Sequence, residues 1–396
     1  MSIRPQTQPT GPKPPFWRDR AKRALLAQCL LLAALAAIVL FIIDNTQDNL
    51  ASRGITTGLG FLDDTAGFGI GQTLIDYSSD STYGRTFIVG LLNTLLVSGL
   101  GVLAATLVGF TVGIARLSSN WLVARLASGY IEVFRNIPLL LQIFFWYFAV
   151  LQSLPSTRES MSLGEAIFLN IRGLYLPKPQ FLSGFGSIPI AIVVAIAASI
   201  GLIIWNRRRH AATGKRLPAI WLSLAIIIGL PLLVLVITGI PVTWELPELG
   251  GFNFSGGITI IPELLALWLA LSIYTASFIA EIVRSGIQAI SHGQTEAALA
   301  LSIPKKLVLR LVIIPQAMRV IVPPLTSQYL NLTKNSSLAT AIGYPDLVSV
   351  FAGTTLNQTG QAIEVIAMTM AVYLTISLLI SMFMNWFNAR MALVER

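Results

Sequence analysis

The side chains able to do chemistry in this sequence are few and clustered. Ser327, Asn331, Lys334 and Asn335 recur at helical spacing inside one largely apolar stretch, PPLTSQYLNLTKNSSLATAIGYPDL, with Ser337 and Thr340 on a neighbouring face. Tyr274, Ser277 and Glu281 share a helical face in another stretch, while Asn93 and Gln142 each interrupt a further apolar run. Hydroxyls, amides, one amine and one carboxylate spaced this way offer hydrogen bonds and dipoles to a polar solute. They form no catalytic cluster. His210 and His292 lie in different loops without nearby Cys or paired carboxylates, so no metal site is expected. No Gly-x-x-x-x-Gly-Lys-Ser/Thr phosphate loop occurs either. Plainer readings compete for several of these residues. Gly90, Thr94, Ser98 and Gly101 suit close packing of membrane helices. Glu132 with Arg135, and Glu281 with Arg284, can form local ion pairs, and Lys334 can snorkel toward an interface.

The elements that carry these groups are membrane spans. The chain of 396 residues is 54% hydrophobic and 11% charged, with a mean hydropathy of +0.73, far less charged than a water-soluble domain of this length. Apolar runs of about 20 residues fall near 24–43, 87–113, 130–152, 188–205, 219–240, 258–282, 317–343 and 362–387. The predicted fold is an all-α polytopic membrane protein with about eight transmembrane helices. The first run lacks a small-residue cleavage site and is read as a retained span. Residues 1–23 read as a disordered basic tail, 44–86 as a long outer loop, and 389–396 as a second tail. The polar residues concentrate in 87–152 and 258–388, which are read as a split functional core. The intervening 153–257, with two spans apolar all round, reads as an insertion.

Charge sets the orientation. Arg4, Lys13, Arg18, Arg20, Lys22 and Arg23 precede the first span, and Arg207, Arg208 and Arg209 mark a later loop on the same side. Asp44, Asp48, Asp63, Asp64, Asp76 and Asp80 lie opposite. Every second loop is basic, which places both termini in the cytoplasm. The net charge of +9 is therefore read as membrane anchoring, with no nucleic-acid partner. Cys29, the single cysteine, can form no intrachain disulfide.

One cytoplasmic loop, 291–315, has its own pattern. Gln294 or Thr295 can start a short helix in which Ala297, Ala298 and Ala300 are strong helix formers with small side chains. Ser302 can cap a second helix, with Pro304 in its first turn, and Leu307, Leu311 and Ile314 on one face. Pro315 is expected to bend the chain into the next span.

This loop resembles the coupling loop of ABC-transporter permeases. Glu296-Ala297-Ala298 and the closing Val312-x-Ile314-Pro315 fall in that register, with Ser302 where the family has Gly. A turn that needs positive φ accepts Ser poorly. GLLNTLLVS at 90–98, FRNIPLLLQ at 134–142, YTASFIAEIVRSGI at 274–287 and LNLTKNSSLATAIGYPDL at 330–347 extend the likeness. Together they resemble the permeases of polar amino-acid importers, the histidine/glutamine permease family. The extra first span, the inserted pair and Arg135-Asn136-Ile137-Pro138 resemble the long permeases of general L-amino-acid importers. The resemblance implies a five-helix type I importer core in a bacterial inner membrane. It further implies two copies of an ATPase holding ATP and Mg, a second and related permease, a periplasmic amino-acid-binding protein and membrane lipid as partners. No cofactor would be bound by this chain. Glu296 would anchor the loop on the ATPase and the alanines would form the contact face. Asn93, Gln142, Tyr274, Ser277, Glu281, Ser327, Asn331, Lys334 and Asn335 would line the substrate route.

Two other classes remain open at this point. An ion- or proton-coupled secondary transporter would use intramembrane carboxylates, for which Glu281 is the one candidate. A membrane-embedded enzyme or sensor would need a catalytic cluster or an attached soluble domain.

Overall fold

In the computed structural model, residues 20–52, 57–183, 185–214, 217–239 and 242–391 are described. The expectations for residues 1–19 and 392–396, and the charges Arg53, Lys215 and Arg216, lie outside them. Most of the described chain is helical, because its long apolar runs must satisfy their own backbone groups inside a bilayer. The helices are α1 (Arg20–Ser52), α2 (Tyr83–Arg116), α3 (Trp121–Asn136), α4 (Leu139–Phe144), α5 (Ser187–Thr213), α6 (Ala219–Ile237), α7 (Pro262–Gln288), α8 (His292–Ala300), α9 (Lys305–Val308), α10 (Ile314–Asn335), α11 (Leu356–Thr359) and α12 (Ala362–Met391). Among the described residues, seven helical segments are long and apolar enough to cross a membrane. An eighth arises if Trp121–Asn136 and Leu139–Ser153, bent by 106° at Pro138, count as one span.

The core is built around α7, which packs most extensively on α2 and also on α3, α4 and α10. Close approach of α2 and α7 depends on Gly109 and Gly113, one helical turn apart. A Cβ at Gly109 would lie 2.6 Å from the Ile279 Cβ, and one at Gly113 would lie 2.7 Å from the Ala280 carbonyl oxygen. Small residues four apart are the usual means of bringing two membrane helices together. Val97, Ala105, Leu267, Leu271, Ala276, Ile279 and Leu332 fill the interior.

Several elements depart from the expected boundaries, the third span among them: expected as one run at 130–152, it starts at Trp121 and is bent by 106° after Asn136. Helix α1 continues past residue 43 to Ser52, carrying Asp44 and Asp48 on it. Residues 57–82 form an ordered cap. Phe61 and Ala66 are buried against Tyr83, Leu347 and Phe351, and the Gly58 amide donates to the Glu364 carboxylate at 2.8 Å. Polar loop composition hid this packing. The inserted region is also not all helix. Strands β1 (Met161–Leu163), β2 (Ile167–Asn170), β3 (Gly173–Leu176), β4 (Lys178–Phe181), β5 (Val242–Glu245), β6 (Glu248–Gly250), β7 (Asn253–Ser255) and β8 (Ile258–Ile260) flank the α5–α6 pair. They pair as an antiparallel sheet β1-β2-β3-β8 and two ribbons, β4-β5 and β6-β7. Tyr175, Phe254 and Phe168 form its small aromatic centre, and the Tyr175 hydroxyl donates to Asn253 at 2.8 Å. Strand β8 takes residues 258–260, so the sixth span starts at Pro262. These strands are only three or four residues long, too short for a period-two pattern to stand out.

Candidate functional site

Two regions collect the polar residues: the α8–α9 loop and the α10 face. Helix α8 begins at His292, earlier than expected, because the Ser291 hydroxyl accepts from the Gly293 amide at 3.3 Å and caps it. The turn after it passes through Ser302 at φ +58°, the one non-glycine residue with positive φ among those described. Ser302 therefore makes the tight turn and does not cap α9; Pro304 holds the N-cap position. That left-handed conformation costs an L-residue roughly 1–2 kcal/mol relative to its usual backbone basin, so the turn carries strain.

The loop's exposed face differs from the expected one. Ala298 is only 6% exposed and packs inward, as does Val308. Glu296, Ala297 and Ala300 stay exposed, and Leu301 is 76% exposed. The exposed face of the loop thus includes Glu296, Ala297, Ala300 and Leu301. Leu301 escaped sequence reasoning because its helical phase fits both faces until the turn is known. Leu307, Leu311 and Ile314 are exposed as well. No break occurs at Pro315: Lys305–Ile342 is a single helical segment, with a π-helical turn at Leu309–Ile313. A wider turn of this kind absorbs a missing N–H without a sharp bend.

Four of the route candidates act within the protein. Asn93 is fully buried, and its amide donates to the carbonyls of Gln72 at 2.9 Å and Pro345 at 2.8 Å. It pins the outer cap and the turn after α10 to α2. Gln142, also buried, donates to the carbonyls of Phe134 and Ile137, both at 2.9 Å. These carbonyls lose their helical partners at the Pro138 bend, so Gln142 stitches the break between α3 and α4. Ser277 is buried and donates to the Tyr274 carbonyl at 2.6 Å. Tyr274 itself is half-buried and packs on Phe278 with ring centroids 4.9 Å apart. For Asn93, Gln142 and Ser277 a backbone acceptor nearby or across the fold claims the side chain, which helical spacing cannot reveal.

Glu281 is engaged from two sides. Arg116 at the end of α2 reaches it at 2.5 Å, and Arg284 donates to both of its oxygens at distances of 2.5 to 3.2 Å. Arg284 also contacts Gln288. The expected Glu281–Arg284 pair is present, enlarged by a cation from a distant helix. Arg135 lies with its guanidinium 5.2 Å from the centre of the Phe278 ring, a cation–π geometry, where a pair with Glu132 was expected. Arg135, Phe278, Glu281, Ser285, Pro324 and Ser327 line an inner cavity of about 370 Å³.

The α10 stripe survives intact. Ser327, Asn331 and Lys334 all lie on an exposed face of the isolated chain, together with Val320 and Pro324, and Asn335 is half-buried beside them. Pro323 and Pro324 lie within α10. After Asn335 the helix tightens into a 3-10 turn, Ser336–Ile342. That turn carries Ser337 toward a second cavity of about 520 Å³ shared with α12. A face this polar cannot be left against lipid without cost. A Lys at the bilayer centre alone costs about 2.5–3.5 kcal/mol on insertion scales.

A polytopic helical core, an exposed two-helix loop and an open polar face along one span fit a membrane transport subunit. Residues 210–393 match the model of the binding-protein-dependent transport system inner membrane component family. The chain is 59% identical to the putative amino-acid ABC transporter permease protein YhdX of Escherichia coli K12, over 94% of this chain and 95% of that one. It is 55% identical to the general L-amino acid transport system permease protein AapQ of Rhizobium johnstonii, over 96% and 94%. The glutamate/glutamine/aspartate/asparagine transport system permease protein BztB of Rhodobacter capsulatus is 41% identical over 96% of each chain. A solved amino acid ABC transporter chain is similar over 78% of this chain and 95% of its own, at 22% identity and a TM-score of 0.46. The chain belongs to the amino-acid ABC-transporter permeases and is a multi-pass inner-membrane protein.

Proposed function

We propose that this chain is one permease subunit of an ATP-driven importer of L-amino acids with broad specificity. Its partners are two copies of an ATPase that hold ATP and Mg, a second and related permease, and a periplasmic amino-acid-binding protein. Both termini face the cytoplasm. The observation that carries this reading is the α8–α9 loop: a short, exposed, small-residue helix, stiffly joined through α9 to the 38-residue segment Lys305–Ile342. When ATP closes the partner ATPases, a helix gripped at Glu296, Ala297, Ala300 and Leu301 is dragged with them. Because the helical segment Lys305–Ile342 runs unbroken through Pro315, that displacement passes into α10 and its polar face. The same face, Ser327, Asn331 and Lys334, then meets the second permease across the route.

A zwitterionic substrate needs hydrogen bonds at both its carboxylate and its ammonium. Asn331, Asn335 and Ser327 supply these as neutral donors and acceptors beside Lys334. Glu281 is already matched by two arginines, which favours a structural role over proton coupling and so speaks against a secondary transporter.

The test is co-purification of the tagged chain from its native membrane, beside Glu296→Lys. Recovery of an ATPase and a second permease with the parent, and loss of most of the ATPase with Glu296→Lys, is the expected result. Uptake in vesicles that ignores orthovanadate and collapses with an uncoupler would replace this reading with ion coupling.

A further inference from the structure

The second cavity, of about 520 Å³, lies between the end of α10, the turn that follows it and α12. Its walls combine one cation, Lys334, with the hydroxyls of Ser337, Thr369, Tyr373 and Ser377, and an apolar side of Val348, Met370 and Leu374. No carboxylate lines it. The buried Asp346 stands behind the wall, where the Tyr373 hydroxyl donates to its Oδ2 at 3.4 Å and the Ser349 amide to its Oδ1 at 2.8 Å. The Ser337 and Thr369 hydroxyls donate to the Lys334 and Val365 carbonyls at 2.7 and 2.8 Å. The Lys334 ammonium and the Ser377 hydroxyl are therefore the donors that face the cavity, and with the nearest acid screened by a tyrosine they select for an anion. The apolar side tolerates a variable organic group attached to it.

Its position adds to the chemistry. Lys334 lies seven residues beyond Ser327 on the same face of α10, about 10 Å along the axis at 1.5 Å per residue. Ser327 lines the inner cavity and Lys334 the outer one, with Asn331 between them. On the reading that this chain imports amino acids, we propose that the outer cavity is a carboxylate station. Lys334 takes the substrate α-carboxylate, the Ser377 hydroxyl donates a second hydrogen bond to it, and the side chain rests on Val348, Met370 and Leu374. The anion then passes along Asn331 toward the inner cavity. One cation suffices for every L-amino acid, because the α-carboxylate is common to all of them, while the apolar side makes no demand on side-chain identity. Broad specificity follows from that division.

The experiment uses the whole importer, permeases with ATPase and binding protein, in vesicles supplied with a mixture of radiolabelled L-amino acids. Lys334→Cys is made in a Cys29→Ala background, so that the new thiol is the single one on this chain. Uptake per assembled complex is expected to fall by about tenfold or more, as when a charge-assisted hydrogen bond is lost. Treatment with a methanethiosulfonate carrying an ethylammonium group is expected to restore much of it, and the methyl reagent to restore none. In the complex without binding protein, L-alanine is expected to bind about tenfold better than L-alaninamide, with the difference abolished in Lys334→Met.

Equal rescue by both reagents, or parent-like uptake by Lys334→Met, would overturn the proposal while leaving the importer reading in place. Rescue that depends on anionic phospholipid, with no discrimination against the amide, would give the cation to a lipid headgroup and overturn it too. Should the cysteine variant fail to assemble, Ser377→Ala carries the test through a rise of about threefold in the half-saturating concentration. A parent complex that moves no L-amino acid from the mixture would instead remove the importer reading on which the proposal rests.

Discussion

The α2–α7 core and the α5–α6 pair are both long apolar helices in one chain, yet they are held in opposite ways. In the core, α7 is buried along most of its length, and glycines lie at its crossings with α2 (Gly109, Gly113) and α10 (Gly286). Helices α5 and α6 pack extensively only on each other, and most of their large apolar side chains are exposed. Their glycines, Gly201 and Gly229, have nothing within 4 Å of a would-be Cβ. The polar residues divide the same way. Asn93, Gln142, Ser277 and Glu281 are all spent in the core, whereas the pair is tied by little more than Ser199 to the Ser223 carbonyl and Asn206 to Leu217. Hydrophobicity places a helix in the membrane; small residues and satisfied polar groups decide what it touches.

The largest test of this contrast is steric. Gly109→Leu should abolish recovery of folded permease, because the new side chain has to enter the space of Ile279 and the Ala276 carbonyl. Overpacking of a filled core costs about 1–3 kcal/mol or more. The same change at Gly201 or Gly229 should leave yield and melting temperature as they are in detergent-solubilised protein. Equal damage at Gly201 would mean that the pair has a partner in this chain.

Next in size is the brace. Asn93→Leu removes both bonds that tie Gln72 and Pro345 to α2 and leaves two carbonyls without a donor, at a cost of about 1–3 kcal/mol. Faster amide exchange across 57–82 with unchanged substrate preference is the expected outcome. A change of preference without loss of order would return Asn93 to the route.

The coupling turn gives a smaller, opposite effect. Ser302→Gly relieves the positive φ and should stabilise the turn by up to about 1 kcal/mol, seen as a raised melting temperature. Ser302→Val should lower it and loosen the ATPase. Parent-like behaviour of both would show that the turn rearranges when docked.

The smallest effect is expected from the boldest change. Phe181 and Val242 are the last facing pair of the β4–β5 ribbon, so a two-residue Asn-Gly turn can close it. Replacing residues 182–241 by Asn-Gly should leave assembly with the ATPase and vesicle uptake within about twofold, since the pair contributes little to the core's packing. Loss of assembly would break the comparison and make α5–α6 part of the functional body.

Much of this was legible in the residues. The span positions, the basic alternate loops and the Glu296-Ala297-Ala298 loop with its anomalous Ser302 could all be read along the chain, because run length, charge and backbone propensity are local properties. The α10 stripe could be read as well, since polar groups at helical spacing in an apolar run mark a face whatever lies opposite. The strands at 161–260 could not, being too short to show a period. Nor could the fate of single polar residues. Asn93 meets Pro345 across 252 positions and Glu281 meets Arg116 across 165. The sequence by itself determined which segments enter the membrane and which helix keeps a polar face. Only the tertiary structure decided which polar side chains are consumed in bracing and which stay free, because a hydrogen bond is satisfied by proximity in space, and periodicity along a helix carries no information about what arrives from another one.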